Sequence, residues 1–457
     1  MSTHRVPATP AQNTAAATQV EGLAQASHVP HRWRNLAVLT GVTVVDNTEA
    51  GLSTTLFPTI AAALKLQSSH LGLLAALGKL VAVPAGPAWA WLASKIGRRK
   101  ALVATTFVGG AFGIAAGFSQ DFVQLLIFNT LMSAAIIGGS PIANAIIADS
   151  FDDSQRGRAA GYFYGFISLI SSFIGPLIAL FTGLSDGWRY GMWAIGAICI
   201  AAGLLVLFFL KDPGVGASEK QLADLTGREA LAPKVTVGSV LSLFRIPSFS
   251  VMMLSRLLSG HLLIVIFGIQ FLVAERHFTN AVAAIVLLPF GLGYFAGTAG
   301  GGWLTALLDR VLPDRGRIAY LQGAQVLFAA VAFFATQFNY DNIGIYGIFW
   351  ALMGFAQGAN PPANRPIVAA VVLPELRNQA FAIFLTVFET IGWAVFSLGA
   401  GALAASLGIQ TVFLWTLVIL MLINALVLTA LYFCYPRDVA KVRDILETRR
   451  QEALQHG

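Results

Sequence analysis

Apolar residues run along most of the chain in stretches of about twenty, the length a helix needs to cross the hydrocarbon layer of a bilayer. Short polar or Gly/Pro breaks separate twelve of them: 35–63, 70–93, 100–119, 122–148, 158–184, 188–210, 248–275, 281–308, 318–337, 343–372, 379–406 and 410–434. One long interruption, 211–247, divides six predicted helices from six. The pattern therefore predicts an all-α integral membrane protein of twelve transmembrane helices arranged as two pseudo-symmetric six-helix bundles. Its expected parts are a disordered tail (1–33), an N-terminal bundle (34–210), a central loop (211–247), a C-terminal bundle (248–434) and a second tail (435–457).

The halves also echo each other in sequence. "GSPIANAIIADSFDDSQRGRAAG" (139–161) aligns with "ANPPANRPIVAAVVLPELRNQAFA" (359–382), setting Pro141 opposite Pro361 and Asn144 opposite Asn364. One unit used twice around a central site is a common plan for secondary transporters.

Composition removes the soluble alternatives. The chain is 56% hydrophobic and 11% charged, against about 25% charged in an ordinary soluble protein. Glycines, 45 in all, are scattered through the apolar stretches, which suits helices packing closely in lipid. With both tails placed inside, 23 lysines and arginines fall on the cytoplasmic face and three, Lys65, Arg189 and Arg276, on the other. The positive-inside rule then sets both termini in the cytoplasm and predicts a multi-pass protein of the inner (plasma) membrane. Basic loops against anionic lipid headgroups account for the net charge of +7 without a nucleic-acid partner. Cys199 and Cys434 lack any partner spacing, so neither disulfide nor metal site is expected, and no cofactor motif occurs.

Charged residues inside the apolar stretches need a reason, because each costs about 2.5–3.5 kcal/mol near the bilayer centre and such groups usually face a wet interior. Asp46 lies about 15 Å along a helix from Leu36, half the depth of the hydrocarbon core, and Glu49 follows one turn later, so both are expected to look into one cavity. Their mutual repulsion and burial favour proton uptake, which makes them candidates for proton coupling. Lys79 and Glu389 come out near mid-depth in the second and eleventh stretches. The seventh contributes Arg256, for charge balance or a substrate anion, and His261, a possible proton carrier that an offset of 215 between the halves sets opposite Asp46. Arg365 is expected to reach cytoplasmic water or a helix end. Tyr294, Trp393 and Phe166 are candidate aromatic surfaces of a substrate cavity.

"AWLASKIGRRKAL" (90–102) resembles the loop between helices 2 and 3 of the major facilitator superfamily, GxxxDRxGRK. Gly97, Arg98 and Arg99 match its end, whereas Ala90, Ser94 and Lys95 replace its Gly, Asp and Arg. "LLDRVLPDRGR" supplies Asp309 and Arg310 in the second half, and "ADSFDDSQRGRAAG" is similar to the family's junction of helices 4 and 5. The resemblance implies a cytoplasmic gate built from these residues, with Asp149 near Arg98 and Arg156, and Arg158 close by. It also implies that helices 2 and 11 adjoin across the halves, so that Lys79 and Glu389 pair. The glycine pattern of drug/proton antiporters is incomplete in "SFIGPLIAL".

The expected function is secondary active transport of a small organic solute by alternating access, coupled to protons, by a monomer and not an enzyme. No P-loop occurs, so the energy must come from an ion gradient or from the solute's own. Uptake against drug efflux, and proton against sodium, stay open. A transporter-like sensor that binds without moving solute is the alternative of another class. An intramembrane enzyme would need partners for His261 that the sequence lacks.

Overall fold

The structure is a computed structural model that describes residues 29–66, 68–179, 186–222 and 233–456. The amino tail up to residue 28, the end of the fifth expected span (180–184) and positions 223–232 of the central loop lie outside the described residues. The first half runs α1 (Arg32–Thr55), α2 (Phe57–Leu64), α3 (Ser68–Leu80), α4 (Ala82–Ile96), α5 (Arg98–Gly117), α6 (Phe122–Ile136), α7 (Gly139–Ser150), α8 (Asp153–Ala179) and α9 (Gly187–Phe209). After the short α10 (Val237–Leu241) come α11 (Pro247–Leu257), α12 (Leu263–Ala274), α13 (Asn280–Val311), α14 (Gly316–Gln337), α15 (Ile343–Gly358) and α16 (Asn360–Val371). The chain finishes with α17 (Arg377–Ala382), α18 (Glu389–Leu407), α19 (Ile409–Phe413), α20 (Leu420–Leu428) and α21 (Leu431–His456). No strand occurs among the described residues.

Nine helical stretches among the described residues are long and apolar enough to cross a membrane. The three other expected spans are also helical, in α1–α2, α8 and α15–α16. Two of them carry polar groups: α1 has Asp46, Asn47 and Glu49, and α16 has Asn364, Arg365 and several prolines. Large apolar side chains stand outward on the molecule, with Phe208, Leu426 and Phe433 each at least 70% exposed. A bilayer is the solvent that such a surface requires.

Several spans are broken, four of them at mid-depth, and the breaks follow from the sequence. Pro58 sits in the first turn of α2, where its missing N–H costs nothing, and the chain turns at Leu56. The seventh span stops at Leu257, passes through Ser259 and a 3-10 turn over Gly260–Leu262, and resumes at Leu263. The tenth breaks at Ala359, ahead of Pro361 and Pro362, and the fourth at Ile137–Gly138, its counterpart in the repeat. Between α17 and α18 lies a π-helical turn, Ile383–Phe388, which widens the backbone just before Glu389. Irregular backbone at this depth survives only where protein or a cavity surrounds it.

Each half has its own apolar core, such as Leu39, Ile146, Phe163 and Val206 in the first and Phe271, Phe328, Trp350 and Phe413 in the second. Across the halves, α8 packs on α13 and α16, and α4 packs on α17 and the π-helical turn. Near the basic loops the approach is close: a Cβ on Gly302 would meet Arg158 Cα at 2.7 Å, and one on Gly157 would meet the Pro362 carbonyl oxygen at 2.9 Å. The halves are therefore shut against each other at that face.

Candidate functional site

A cavity of about 700 Å³ lies between the halves, lined by the mid-depth breaks. Ser140 beyond the break in the fourth span, His261 and Leu262 in the seventh, and Asn360 and Pro361 in the tenth all reach it. Six residues given mid-depth or cavity roles from sequence meet there: Lys79, Arg256, His261, Tyr294, Glu389 and Trp393. Phe166 does not. It is 45% exposed and touches Phe295 on the outer surface.

Asp46 and Glu49 are also absent from the cavity wall, which corrects the expectation that they face a shared chamber. Both point into the packed interior of the first half, 6% and 0% exposed. Asp46 lies against Gly139 and receives a weak, 3.6 Å hydrogen bond from the Cys199 thiol. Glu49 sits on the bare backbone of α5, where a Cβ at Gly113 would come within 3.2 Å of its Cδ. Neither Glu49 oxygen has a hydrogen-bond partner among the described residues. A charged carboxylate in such a place is very expensive, so the geometry suits a neutral carboxyl.

The pairing of Lys79 with Glu389 is likewise corrected: no salt bridge joins them. Glu389 instead binds Arg256, from α11 of the same half. The reason is local geometry: α11 packs on α18 and on the π-helical turn, so a guanidinium reaches the acid without crossing the cavity. Lys79 remains an exposed cation on the opposite wall. Beside the pair, His261 is 3% exposed, its Nδ1 without a partner among the described residues and its ring edge-on to Phe328 at 5.9 Å.

Arg365, expected near water or a helix end, is another correction. It is 8% exposed and lines the cavity, donating to Asn364 Oδ1 at 2.6 Å. Its guanidinium lies over Tyr164 of the first half at 4.6 Å and over Phe384 at 5.4 Å. The tenth span breaks at Ala359 ahead of its prolines, and Arg365 lies in the segment after the break, α16, whose start also lines the cavity.

Below the cavity, at the face of the basic loops, charges knit the halves together. Gly97 takes φ +92, open to glycine without strain, and α5 starts directly after it with Arg98. Arg98 contacts Asp149 and Asp212, each at 2.5 Å. Asp149 is also held by Arg377 of the second half. Arg156 donates to the Ala148 carbonyl at 2.8 Å and binds Glu219 at 2.6 Å, and Glu219 binds Arg377 as well. Arg317 spans the halves, reaching Asp153 at 2.7 Å and Asp309 at 2.5 Å. Arg158 stacks on Trp303 at 3.9 Å, a cation–π contact across the halves.

Two predicted members of this network differ in role. Arg99 donates to the Leu207 carbonyl inside the first half, and Arg310 is exposed while Arg317 takes Asp309. Sequence reasoning passed over Arg377, although the repeat held the signal. Arg377 Nε donates to the Ala369 carbonyl, eight residues back, just as Arg156 does to Ala148. Asp212 and Glu219 lie in a loop with no motif to mark them. Burial pushes the Glu219 carboxyl up, yet Arg377 and Arg156 overcome it and hold it at about 2. Asp153 is likewise held at about 2 against burial, chiefly by Arg317.

A family model described as the Major Facilitator Superfamily matches residues 39–347 and 314–454. A probable 4-methylmuconolactone transporter of Cupriavidus pinatubonensis (strain JMP 134 / LMG 1197) is 23% identical over 371 residues, covering 80% of this chain and 82% of that protein. Multidrug resistance protein MdtG of Rahnella sp. (strain Y9602) is 24% identical over 353 residues, 77% of this chain and 81% of its own length. Among solved structures, the proton:xylose symporter XylE shares the fold with a TM-score of 0.68 at 12% identity, over 89% of this chain and 96% of that one. With the family model spanning nearly all the described helices and transporters among its relatives, the chain belongs to the Major Facilitator Superfamily and is a multi-pass membrane transporter rather than an enzyme.

Proposed function

We propose that this protein moves a small organic solute across the cell's inner (plasma) membrane by alternating access, coupled to protons, and works as a monomer. The observation that carries the reading is the central cavity: both halves wall it, and ion pairs and close helix contacts between the halves shut it off from the basic loops. Rocking the halves about it would open that face and close the other. The cavity is complete within one chain, which supports the monomer.

In this reading the basic face is cytoplasmic, both tails lie inside, and the units 34–210 and 248–434 rock about the loop 211–247. Proton coupling runs through the Glu389–Arg256 pair, with His261 beside it. Protonating Glu389 would release Arg256 into the cavity, and a solute bound there would alter the cost of the exchange. Asp46 and Glu49 form a second proton-binding centre, inside the first half, that empties only when the bundle repacks. The relatives named for transport support the solute as a small organic molecule.

The test is flux in proteoliposomes with an imposed pH gradient, alongside labelling of a cavity cysteine by an impermeant thiol reagent from each face. Gradient-driven uptake that drops at least tenfold in Glu389→Gln, with labelling from the two faces responding oppositely to solute, is expected. Flux indifferent to the gradient would remove the coupling, and labelling that never changes would remove alternating access.

A further inference from the structure

We infer that Arg365 is the anion anchor of the central cavity and that the transported solute is an organic carboxylate; this deepens the transport reading above and rests on it. The starting point is an imbalance. Among the described residues no carboxylate lies within 4.0 Å of Arg365, whose one side-chain acceptor is the neutral Asn364 and whose Nε has no partner. A guanidinium 8% exposed cannot shed its proton, and without a salt bridge of its own it favours an incoming anion.

The rest of the wall has the same sign. Lys79, Arg256 and Arg365 face the cavity with one acid, Glu389, and that acid is already bound to Arg256. Two cations from opposite halves, Lys79 and Arg365, are thus left to an incoming anion. The guanidinium lies over the rings of Tyr164 and Phe384, at 4.6 and 5.4 Å. The rings confine it, and the N–H groups that Asn364 does not take remain for the oxygens of a carboxylate. Tyr164 belongs to α8 and Arg365 to α16, so the anchor straddles the interface along which the halves move. Tyr294 and Trp393 supply flat surface for an apolar body, in a volume of about 700 Å³, which falls within the usual range for small-molecule sites.

The experiment compares matched probes on the purified full-length protein, following intrinsic tryptophan fluorescence and thermal shift. Benzoate and 3-phenylpropionate are set against benzamide, 3-phenylpropanol and benzylamine. The acids are expected to bind at least about tenfold more tightly than their neutral and cationic analogues. Arg365→Gln should remove that preference, and Arg365→Lys, which keeps the charge and loses the fork, should fall between. Amide or amine binding as well as acid, no acid binding at all, or acid binding unchanged in Arg365→Gln would each overturn the inference. The acid against amide comparison needs no variant, so a poorly folding Arg365→Gln does not shelter it. The two readings fail separately. Acids that bind the protein yet never cross proteoliposomes would count against transport while leaving the anion site standing, and uptake confined to neutral or cationic solutes would do the reverse.

Discussion

Arg377 of the second half reaches Asp149 at the end of α7 in the first, and neither side chain is more than 1% exposed. A pair this buried contributes little net stability when compared with apolar packing, but breaking it by removing one partner costs about 3–5 kcal/mol. Because the contact spans the halves, that cost falls on the state closed at the basic face. Arg377→Met is therefore expected to open it: a cysteine at Ser133, on the cavity wall, in a Cys199→Ala, Cys434→Ser background, should label faster from the basic side. Asp149 keeps Arg98 in this variant, so the protein should still fold.

That closure should be deaf to physiological pH. The Glu219 carboxyl, lowered from 4.5 to about 2 by Arg377 and Arg156, contributes stability that is fully present above its unfolded value and is lost only as pH falls toward 2. Labelling from the basic face, corrected for the pH dependence of the thiol's own reactivity, is expected to stay constant between about pH 8 and about pH 5. A steep rise within that window would show that some other titrating group latches this face.

How much of this was legible beforehand divides along a physical line. Span positions followed from apolar length, and depth along a helix followed from the rise per residue, which is why Lys79, Arg256, His261 and Glu389 were placed at the cavity. Direction around the helix is set by which neighbours surround it, and no single sequence shows that. Asp46 and Glu49 have the right depth and turn the other way, toward Gly139 and Gly113. Arg365 erred in the opposite sense: its place near the inner end of the predicted span points to water or a helix end, whereas its neighbours turn it toward the cavity. Asp212 and Glu219 were invisible for a third reason: their partners, Arg98 and Arg377, are distant in sequence and the loop that carries them has no periodicity.

Glu49 gives the sharpest trade between stability and function. Both of its oxygens are buried without a partner among the described residues, so Glu49→Met, apolar and of similar length, should stabilise the fold by about 1–3 kcal/mol. The melting temperature in detergent measures this. If the carboxyl also carries protons, gradient-driven flux should fall at least tenfold in the same variant. Higher stability with full flux would make Glu49 a bystander.

For the cavity pair, Glu389→Gln leaves Arg256 buried without its acid. Flux driven by a pH gradient is expected to be lost, while exchange of solute between equal pools, which needs no net proton movement, is expected to continue. The pH profile of exchange should also flatten. A double variant, Glu389→Gln with Arg256→Gln, should recover thermal stability lost in the single one, because it no longer strands a charge.

Closure at the basic face depends on bare backbone as well as charge, and the two can be separated. Gly302 of α13 faces Arg158 and Gly157 of α8 so closely that an added Cβ would lie 2.7 Å from Arg158 Cα and 2.9 Å from the Gly157 carbonyl oxygen. Both obstacles are backbone, so no side chain can swing aside; one helix must move. Gly302→Val, whose branch is rigid at χ1, is expected to wedge α8 and α13 apart while each half keeps its own core. The cost then falls on the closed face alone, and the molecule shifts toward the opposite state. Labelling of the Ser133 cysteine should rise from the basic side and fall from the other, with uptake stalled. A fall in melting temperature with unchanged labelling from either side would mean that α8 and α13 form a fixed seam, and that the moving contact lies at α4 and α17 instead.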